Sequence, residues 1–498
     1  MSSTIPNYSI PGVYVTQSGT ALNAISTSAL NIALVADVVV TGTATDNFYA
    51  GSSGINIIGY LSNPMYASGT AVVSGINGGT VISGVLNTNY KLVTNGSTTY
   101  ISTSGLGTAS LSGNISVNYQ YNFGGLGTYT SYTQLANVFG VPTSGTTVTS
   151  PVSLAAYLAF QNGANTVSVQ PVARVSGVTY ANTSDWIHTF TPVTSGSDPT
   201  YLSSFVGVDV VVPLYGFLDA NNSLISYGTG TVASGINNYL NTQASNGAYQ
   251  RAFLGLDGTS NTLTASGVQT LANAFGNNRV SLVYPGTLTY NPGVDPVSGS
   301  INTNINVPGY YLAAAVAGVF VGQPNVATPI TNKQVAGFTG VPNQISASDA
   351  ATSYLEYGIL TVRQKRDGNL WILHGLTTDT SSWTRQEVSI SAIGDVLAQQ
   401  ISRDLNNSQI IGSAMTKNTV AATIGIVQSS LTTAVSNSLI QSYNNLEYFV
   451  YNSSPTTINI VFQYAPTYPI NYIKAVLSLN TQTGQVNFGN SPSNLVTY

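Results

Sequence analysis

The sequence predicts an α+β multidomain chain: an α/β middle domain with an inserted all-β module, a C-terminal α+β domain, and extended strand-forming N- and C-terminal arms. Three observations predict it. Apolar runs of strand length take turns with helical periodicity through the middle of the chain, short alternating runs split by Gly, Ser, Thr and Asn fill residues 41–125, and β-prone segments beside Pro turns mark both ends. With 498 residues, 43% of them hydrophobic and 10% aromatic, the chain has material for roughly three domains and is no disordered polymer.

The segment 1–20 reads as an N-terminal arm, because Pro11 and Gly12 set a turn before the β-prone Val13, Tyr14 and Val15. Ala29 to Val40 is an apolar run broken only by Asn31 and Asp37, so 21–40 supplies the first strand of the core. From 41 to 125, short runs such as Thr80 to Val85, Tyr90 to Val93 and Ile115 to Tyr121 show no helical period, as an inserted β-rich outer module would.

The middle domain, 126–325, opens with helical spacing at Gln134, Leu135, Val138 and Phe139 and again from Leu154 to Phe160, where Asn162-Gly163 stops the helix. Thr166 to Val175, Val208 to Leu214, Arg251 to Leu256 and Arg279 to Tyr284 are strands; Val232 to Leu240, Leu263 to Phe275 and Tyr310 to Phe320 are helices. Strand and helix in turn predict a largely parallel sheet.

In the last domain, 326–455, Tyr357 to Val362 and Leu370 to His374 form a hairpin around Arg366-Asp367-Gly368. Ile393, Leu397, Ile401 and Leu405 recur at every fourth residue, and Val420, Ile424, Val427, Leu431 and Val435 at every third or fourth, so two amphipathic helices follow. The terminal strands and arm, 456–498, begin with the alternation Ile458, Ile460, Phe462, Tyr464 and turn at Pro466 and Pro469.

Composition excludes several functions. Cysteine is absent, which removes disulfides, thiolate metal sites and cysteine nucleophiles. A net charge of −4 with only 12 Lys and Arg leaves no basic stripe to displace phosphate counterions, so no nucleic-acid partner is expected. No apolar run reaches the length of a membrane span, and the first ten residues carry no secretory pattern, so synthesis in a cytoplasm without a membrane span is expected. His188 and His374 lie far apart with no carboxylates at ligand spacing, and no phosphate-binding loop, nucleophile elbow or H-E-x-x-H motif occurs. No catalytic, cofactor-binding or metal residue is therefore assigned, and no enzyme is predicted.

The informative feature is where charge falls. Only 6% of the residues are charged, and 12 of the 28 charged side chains lie between Glu356 and Lys417. Glu356 and Asp367 lie close to basic residues, which points to neutralised ion pairs. The hairpin carrying Arg363, Lys365, Arg366 and Asp367 is either a solvated tip or a contact surface.

Pro11-Gly12-Val13-Tyr14-Val15 resembles the start of contractile-tail sheath proteins of phages and related injection machines. Further matches follow in the same order: Phe139-Gly140, the helix Leu154 to Phe160, Asn162-Gly163 and the strand ending Val172-Ala173-Arg174-Val175, similar to that family's helix, "NG" turn and "VVRV" strand. Pro308 to Val319, then Pro324, Ala327 and Pro329, resembles the lead into the family's conserved C-terminal domain, and Gly358, Gly368 and Trp371 to Thr378 resemble its "GIN…G…WG.RT" pattern. Leu376 stands where the family often has Arg, and His374 replaces the Trp of "WG". The 41–125 module matches only loosely, through Ile115 to Tyr121.

The resemblance implies a structural subunit that stacks as hexameric rings around an inner tail tube protein, links the rings by strand augmentation from its arms, contracts to drive the tube through a host envelope, and meets baseplate and tail terminator proteins. It implies residence in the virion tail after assembly in the host cytoplasm, with no cofactor. The arms would use Pro11, Gly12, Val13, Tyr14, Val15, Ile458, Ile460, Phe462 and Tyr464, and the strands lost with the tail beyond Thr456 would bind neighbours and not the chain's own core. Candidate tube or ring contacts are Arg363, Lys365, Arg366, Asp367, Arg385, Glu387, Asp395, Arg403 and Asp404. The alternative is a secreted or surface β-rich adhesin or lattice protein, suggested by the Ser/Thr/Asn-rich module, although no export route, anchor or repeat array is visible. A hydrolase using Ser or Asp is a third reading.

Overall fold

The computed structural model describes residues 30–38, 41–50, 59–61, 72–77, 80–84, 86–95, 98–102, 106, 111–122, 127–172, 181–191, 202, 207–217, 227–257, 264–293, 303–342, 344–450, 456–471, 477–479 and 486–488. Contacts divide the chain into two units, 1–467 and 468–498. The arm residues Pro11, Gly12, Val13, Tyr14 and Val15, and the strand end Ala173-Arg174-Val175, lie outside the described residues.

Among the described residues the first unit opens with β1 (Asn31–Ala36), followed by the strands β2 (Thr41–Ala50), β3 (Gly59–Tyr60), β4 (Val72–Asn77), β5 (Thr80–Ser83), β6 (Lys91–Asn95), β7 (Thr98–Ser102) and β8 (Ser112–Asn122), of which β2 and β8 are long. Strands β2 to β8 build two antiparallel sheets of their own, ordered β2-β8-β4-β5 and β3-β7-β6. A small core of Leu61, Val73, Tyr90, Ile101, Leu111, Ile115 and Val117 sits between them. Ile115 and Val117 on β8 are buried while Asn114 and Asn118 are exposed, the period of two that the sequence showed.

The chain then runs through β9 (Gly127–Tyr129), α1 (Tyr132–Phe139), the small hairpin β10 (Thr143–Ser144) and β11 (Thr147–Val148), α2 (Pro151–Gln161), β12 (Thr166–Pro171), α3 (Thr183–Phe190), β13 (Val210–Pro213), α4 (Val232–Ser245), β14 (Arg251–Gly255), α5 (Ala265–Phe275) and β15 (Val280–Tyr284). A second small hairpin, β16 (Thr287–Tyr290) and β17 (Ile305–Pro308), leads into α6 (Tyr310–Val321). Next come β18 (Gln334–Val335), α7 (Ala347–Ser353), β19 (Ile359–Gln364) and β20 (Leu370–Ile372).

One nine-stranded sheet, ordered β18-β20-β19-β15-β14-β13-β1-β12-β9, joins these segments. From β12 to β19 neighbouring strands are parallel, while β9, β20 and β18 add antiparallel edges. The order reverses at β1, so crossovers on its two sides place helices on both faces and every inner strand is buried twice. Alternate residues divide accordingly. Ile32, Leu34, Val210, Val212, Phe253 and Leu360 face the layer of α2 and α6; Ala33, Val35, Val211, Leu254, Leu282 and Ile359 face the layer of α3, α4 and α5. The sheet passes through position 325, because β18, β19 and β20 extend the row that β1 to β15 began.

Helix α2 starts on Ser150, whose Oγ accepts from Ser153 N, with Pro151 at its first turn. It packs on α6 at backbone distance: a Cβ on Gly318 would overlap the Ala159 carbonyl oxygen. Where α2 ends, the Asn162 side chain accepts from Ala336 N at 2.8 Å and donates to Ala336 O at 3.1 Å, which ties the Asn-Gly turn to the β18 edge.

The chain continues with α8 (Trp383–Gln386), α9 (Val388–Asn407), α10 (Lys417–Ser436), β21 (Ile440–Phe449) and β22 (Asn459–Pro466). Val388, Ala392, Ile393, Val396, Leu397, Ile401 and Leu405 of α9 pack into the α2–α6 side of the core. Helix α10 is long and apolar enough to cross a membrane by length and composition, yet Thr423, Val427, Ser430, Leu431 and Ala434 bury one stripe against the core, while Lys417, Asn418, Gln428 and Thr432 are exposed.

Strands β21 and β22 form an antiparallel two-stranded sheet with irregular register near Asn444 and Glu447. Ile460, Phe462 and Tyr464 pack partly buried against the main core. This corrects the expectation that strands beyond Thr456 serve neighbours alone: one edge of β22 and one side-chain face are already used within the chain. The second unit, 468–498, holds the hairpin of β23 (Leu477–Leu479) and β24 (Val486–Phe488).

Candidate functional site

The charged segment from Glu356 to Lys417 separates into an exposed tip and buried pairs. Strands β19 and β20 form the expected hairpin, with Gln364 opposite Leu370. Gly368 closes the turn at φ +82°, a backbone conformation that favours glycine, and its N–H donates to Lys365 O at 3.0 Å.

At the tip, Lys365, Arg366 and Asp367 are exposed. Asp367 Oδ1 accepts from Asn369 N at 3.0 Å and Oδ2 from Trp371 Nε1 at 3.1 Å. The Asn369 amide, with the other donors, holds the carboxyl below the usual range. The partners of Asp367 are thus an amide and an indole where the sequence suggested a cation. Lys365 Nζ lies 4.1 Å from the Trp371 ring centroid and donates to Asn332 Oδ1 at 2.6 Å. Arg363 is half-buried and donates through Nε to Ile345 O at 3.0 Å. Arg366 is left as a charge projecting into solvent.

Below the tip the charges turn inward. His374 Nε2 and Glu387 Oε2 are 2.7 Å apart, with the Glu387 side chain 4% exposed at the start of α9. Arg385 Nε approaches Asp379 Oδ2 to 2.7 Å, a charge contact whose angle is not that of a hydrogen bond. Arg403 is exposed, and Asp404 accepts from Ser430 Oγ at 2.7 Å, pinning α9 to α10. His188 sits half-buried on α3, and no group of three or more metal-ligating residues occurs among the described residues.

Asp395 is the clearest departure from the sequence reading. It is fully buried, with Oδ2 at 2.8 Å from Arg251 Nη2 and Oδ1 at 2.8 Å from Arg279 Nη2. A carboxylate with no exposed surface makes no contact with a tube or ring, so this candidate is corrected to an internal one, and Glu387 joins it. Burial pushes the Asp395 carboxyl up while the two guanidiniums pull it down. Burial also pushes Arg251 down, to about 10. Arg251 and Arg279 lie outside the charged segment, far from Asp395 in the sequence. The signal was present, since both expected strands open on arginine.

A second surface carries exposed apolar groups. On the β21–β22 hairpin Tyr448 is 53%, Phe449 38% and Val461 49% exposed, on strands whose outer edges have no partner among the described residues. Such edges accept further strands.

No family model matches the chain. Over 344 residues it is 26% identical to the tail sheath protein of Mycobacterium phage Bxz1, a match that covers 68% of this chain and 53% of that protein. The chain is related to the contractile tail sheath proteins. It spans about half the length of the curated sheath relative it matches. Its fold is also that of the anti-feeding prophage helical sheath in the contracted state, at a TM-score of 0.52 and 13% identity, over 95% of this chain and 99% of that one. A chain of the six-fold symmetrised baseplate of the same prophage superposes equally, at 0.52 and 13% with the same coverage. The sheath likeness therefore runs through mixed helices and several sheets, well beyond any single motif.

Proposed function

We propose that the chain is a structural subunit of a contractile tail sheath. It polymerises as stacked hexameric rings around an inner tube and contracts to drive that tube through a host envelope during genome delivery. The observation that carries this reading is the 26% identity to a phage tail sheath protein over 344 residues. The partners are further copies of the chain, the tube protein, and baseplate and terminator proteins; the site of action is the virion tail, after assembly in the host cytoplasm.

Two features of the chain support this role. The β21–β22 hairpin leaves edges and aromatic side chains exposed, which suits strand pairing between copies, where backbone hydrogen bonds give affinity and alternate side chains give register. The nine-stranded sheet, covered by helices on both faces, would move as a rigid body, so contraction would repack interfaces while that sheet keeps its shape. The sheets of β2 to β8 would decorate the outside, and Lys365 and Arg366 would face the tube or an adjacent ring. Electron microscopy of the purified protein tests the reading: helical tubes of stacked six-subunit rings are expected, and their absence both from the purified protein and from virions would overturn it.

A further inference from the structure

We infer that Asp395 is a positioning residue: it fixes α9, and through α9 the α10 helix and the β21–β22 hairpin, at one place and angle on the rim of the nine-stranded sheet. The rim is built where β14 and β15 begin. Arg251 opens β14 and Arg279 precedes β15, so two adjacent parallel strands aim guanidiniums at one point of α9. Arg251 Nη2 donates to Asp395 Oδ2 at 2.8 Å and to Ser391 Oγ at 2.9 Å, and its Nη1 donates to Asn278 O at 3.1 Å. Arg279 donates to Asp395 Oδ1 through Nε at 3.1 Å and Nη2 at 2.8 Å, with the Tyr249 ring centroid 5.5 Å behind it. Ser391, one turn before Asp395, also donates to Asn278 O at 2.6 Å.

This network is not needed to bury α9, whose apolar stripe does that already. Apolar contacts are non-directional, and by themselves they tolerate small shifts of a helix that side-chain repacking can absorb. Charge-assisted bonds from two forked guanidiniums do not, because a shift of an ångström leaves buried charge unpaired. The benefit of so costly a triad in a chain with few charges is a defined position. From α9 the polar pins continue outward: Ser430 on α10 donates to Asp404, and Thr432 on α10 and the Tyr443 hydroxyl on β21 are 3.2 Å apart. The hairpin with its exposed Tyr448 and Val461 is thereby presented at a fixed angle to the sheet. Only that last step, presentation to a second copy, rests on the sheath reading.

Hydrogen exchange read by mass spectrometry on the full-length monomer tests the inference with Asp395→Asn, which keeps shape and removes charge, and with Ser391→Ala, a milder cut in the same network. Amides of α9, α10, β21 and β22 are expected to exchange at least tenfold faster together in Asp395→Asn, and to a smaller extent in Ser391→Ala, while β1 and β13 keep the parent rate. Unchanged exchange in those four elements, or equal acceleration throughout the chain, would overturn it. If Asp395→Asn does not fold, the Ser391→Ala pattern decides by the same criterion. A parent protein that shows the localised pattern in the variants but never forms tubes would remove the sheath reading and leave the positioning role standing.

Discussion

Asp209 shows how one side chain can set a pH dependence in a chain with few charges. It precedes β13 and accepts from Asn31 N at 2.9 Å. Burial pushes its carboxyl up from 3.8 to about 6, against the smaller opposing effect of the Asn31 amide. The folded chain therefore holds this proton more tightly than the unfolded chain, and protonation stabilises the fold. That contribution is complete below about pH 4 and is lost as the pH rises through about 6. Asp209→Asn, which is neutral throughout, is expected to raise the melting temperature relative to the parent at pH 7.5 and to change it little at pH 4, with a ceiling of about 3 kcal/mol. Thermal unfolding at the two pH values checks this; a difference independent of pH would exclude Asp209 as its source. Asp395 is the contrasting case, a carboxylate buried more completely than the half-buried Asp209 but held by two guanidiniums, and its location shows what sequence proximity could not. Its cationic partners lie 144 and 116 positions away, so a count of neighbouring charges placed it on the surface with the hairpin tip.

At the scale of elements, periodicity located most of what forms. The Thr166, Arg251 and Val280 strands and the helices ending at Gln161, Phe275 and Val321 arise where apolar residues recur at the spacing of a strand or a helix. Strand β21 is hard to read from sequence because IQSYNNLEYF alternates weakly and is mostly exposed, so what makes it a strand is a partner strand and not a buried face. That partner changes what is expected of losing the tail beyond Thr456, whose strands were expected to bind neighbours and not the chain's own core. Removing 468–498 takes away only the second unit and is expected to leave a cooperative unfolding transition near the parent temperature. Truncation after Thr456 removes β22 with Ile460, Phe462 and Tyr464, strips β21 of its ladder, and is expected to cost on the order of a few kcal/mol, visible in urea melts. Equal stability of the two truncations would show that β22 contributes nothing to the fold.

For the whole molecule, the expected concentration of charge resolves into two populations with separate uses. Arg363 anchors the Ile345 carbonyl and belongs to the fold, whereas Lys365 and Arg366 are exposed at the hairpin tip. The double variant Lys365→Glu and Arg366→Glu is expected to stay within about 1 kcal/mol of the parent in monomer stability, because the cation–π contact with Trp371 and the hydrogen bond to Asn332 that it breaks are both solvent-exposed. It is also expected to reduce tube formation, scored by sedimentation and electron microscopy; tubes of undiminished yield would make the tip a solvated loop. Mixed helix and strand content, the β-rich segment before residue 126, the charged hairpin and the sheath resemblance are all legible in the residues alone, because periodicity, turn residues and short motifs are local properties of the chain. That strands on both sides of position 325 share one sheet, that β22 pairs within its own chain, and that Asp395 faces two distant arginines emerges from the folded chain alone. Those are matters of which segments meet across long stretches of chain, and burial of a paired charge depends on that meeting, which no local pattern encodes.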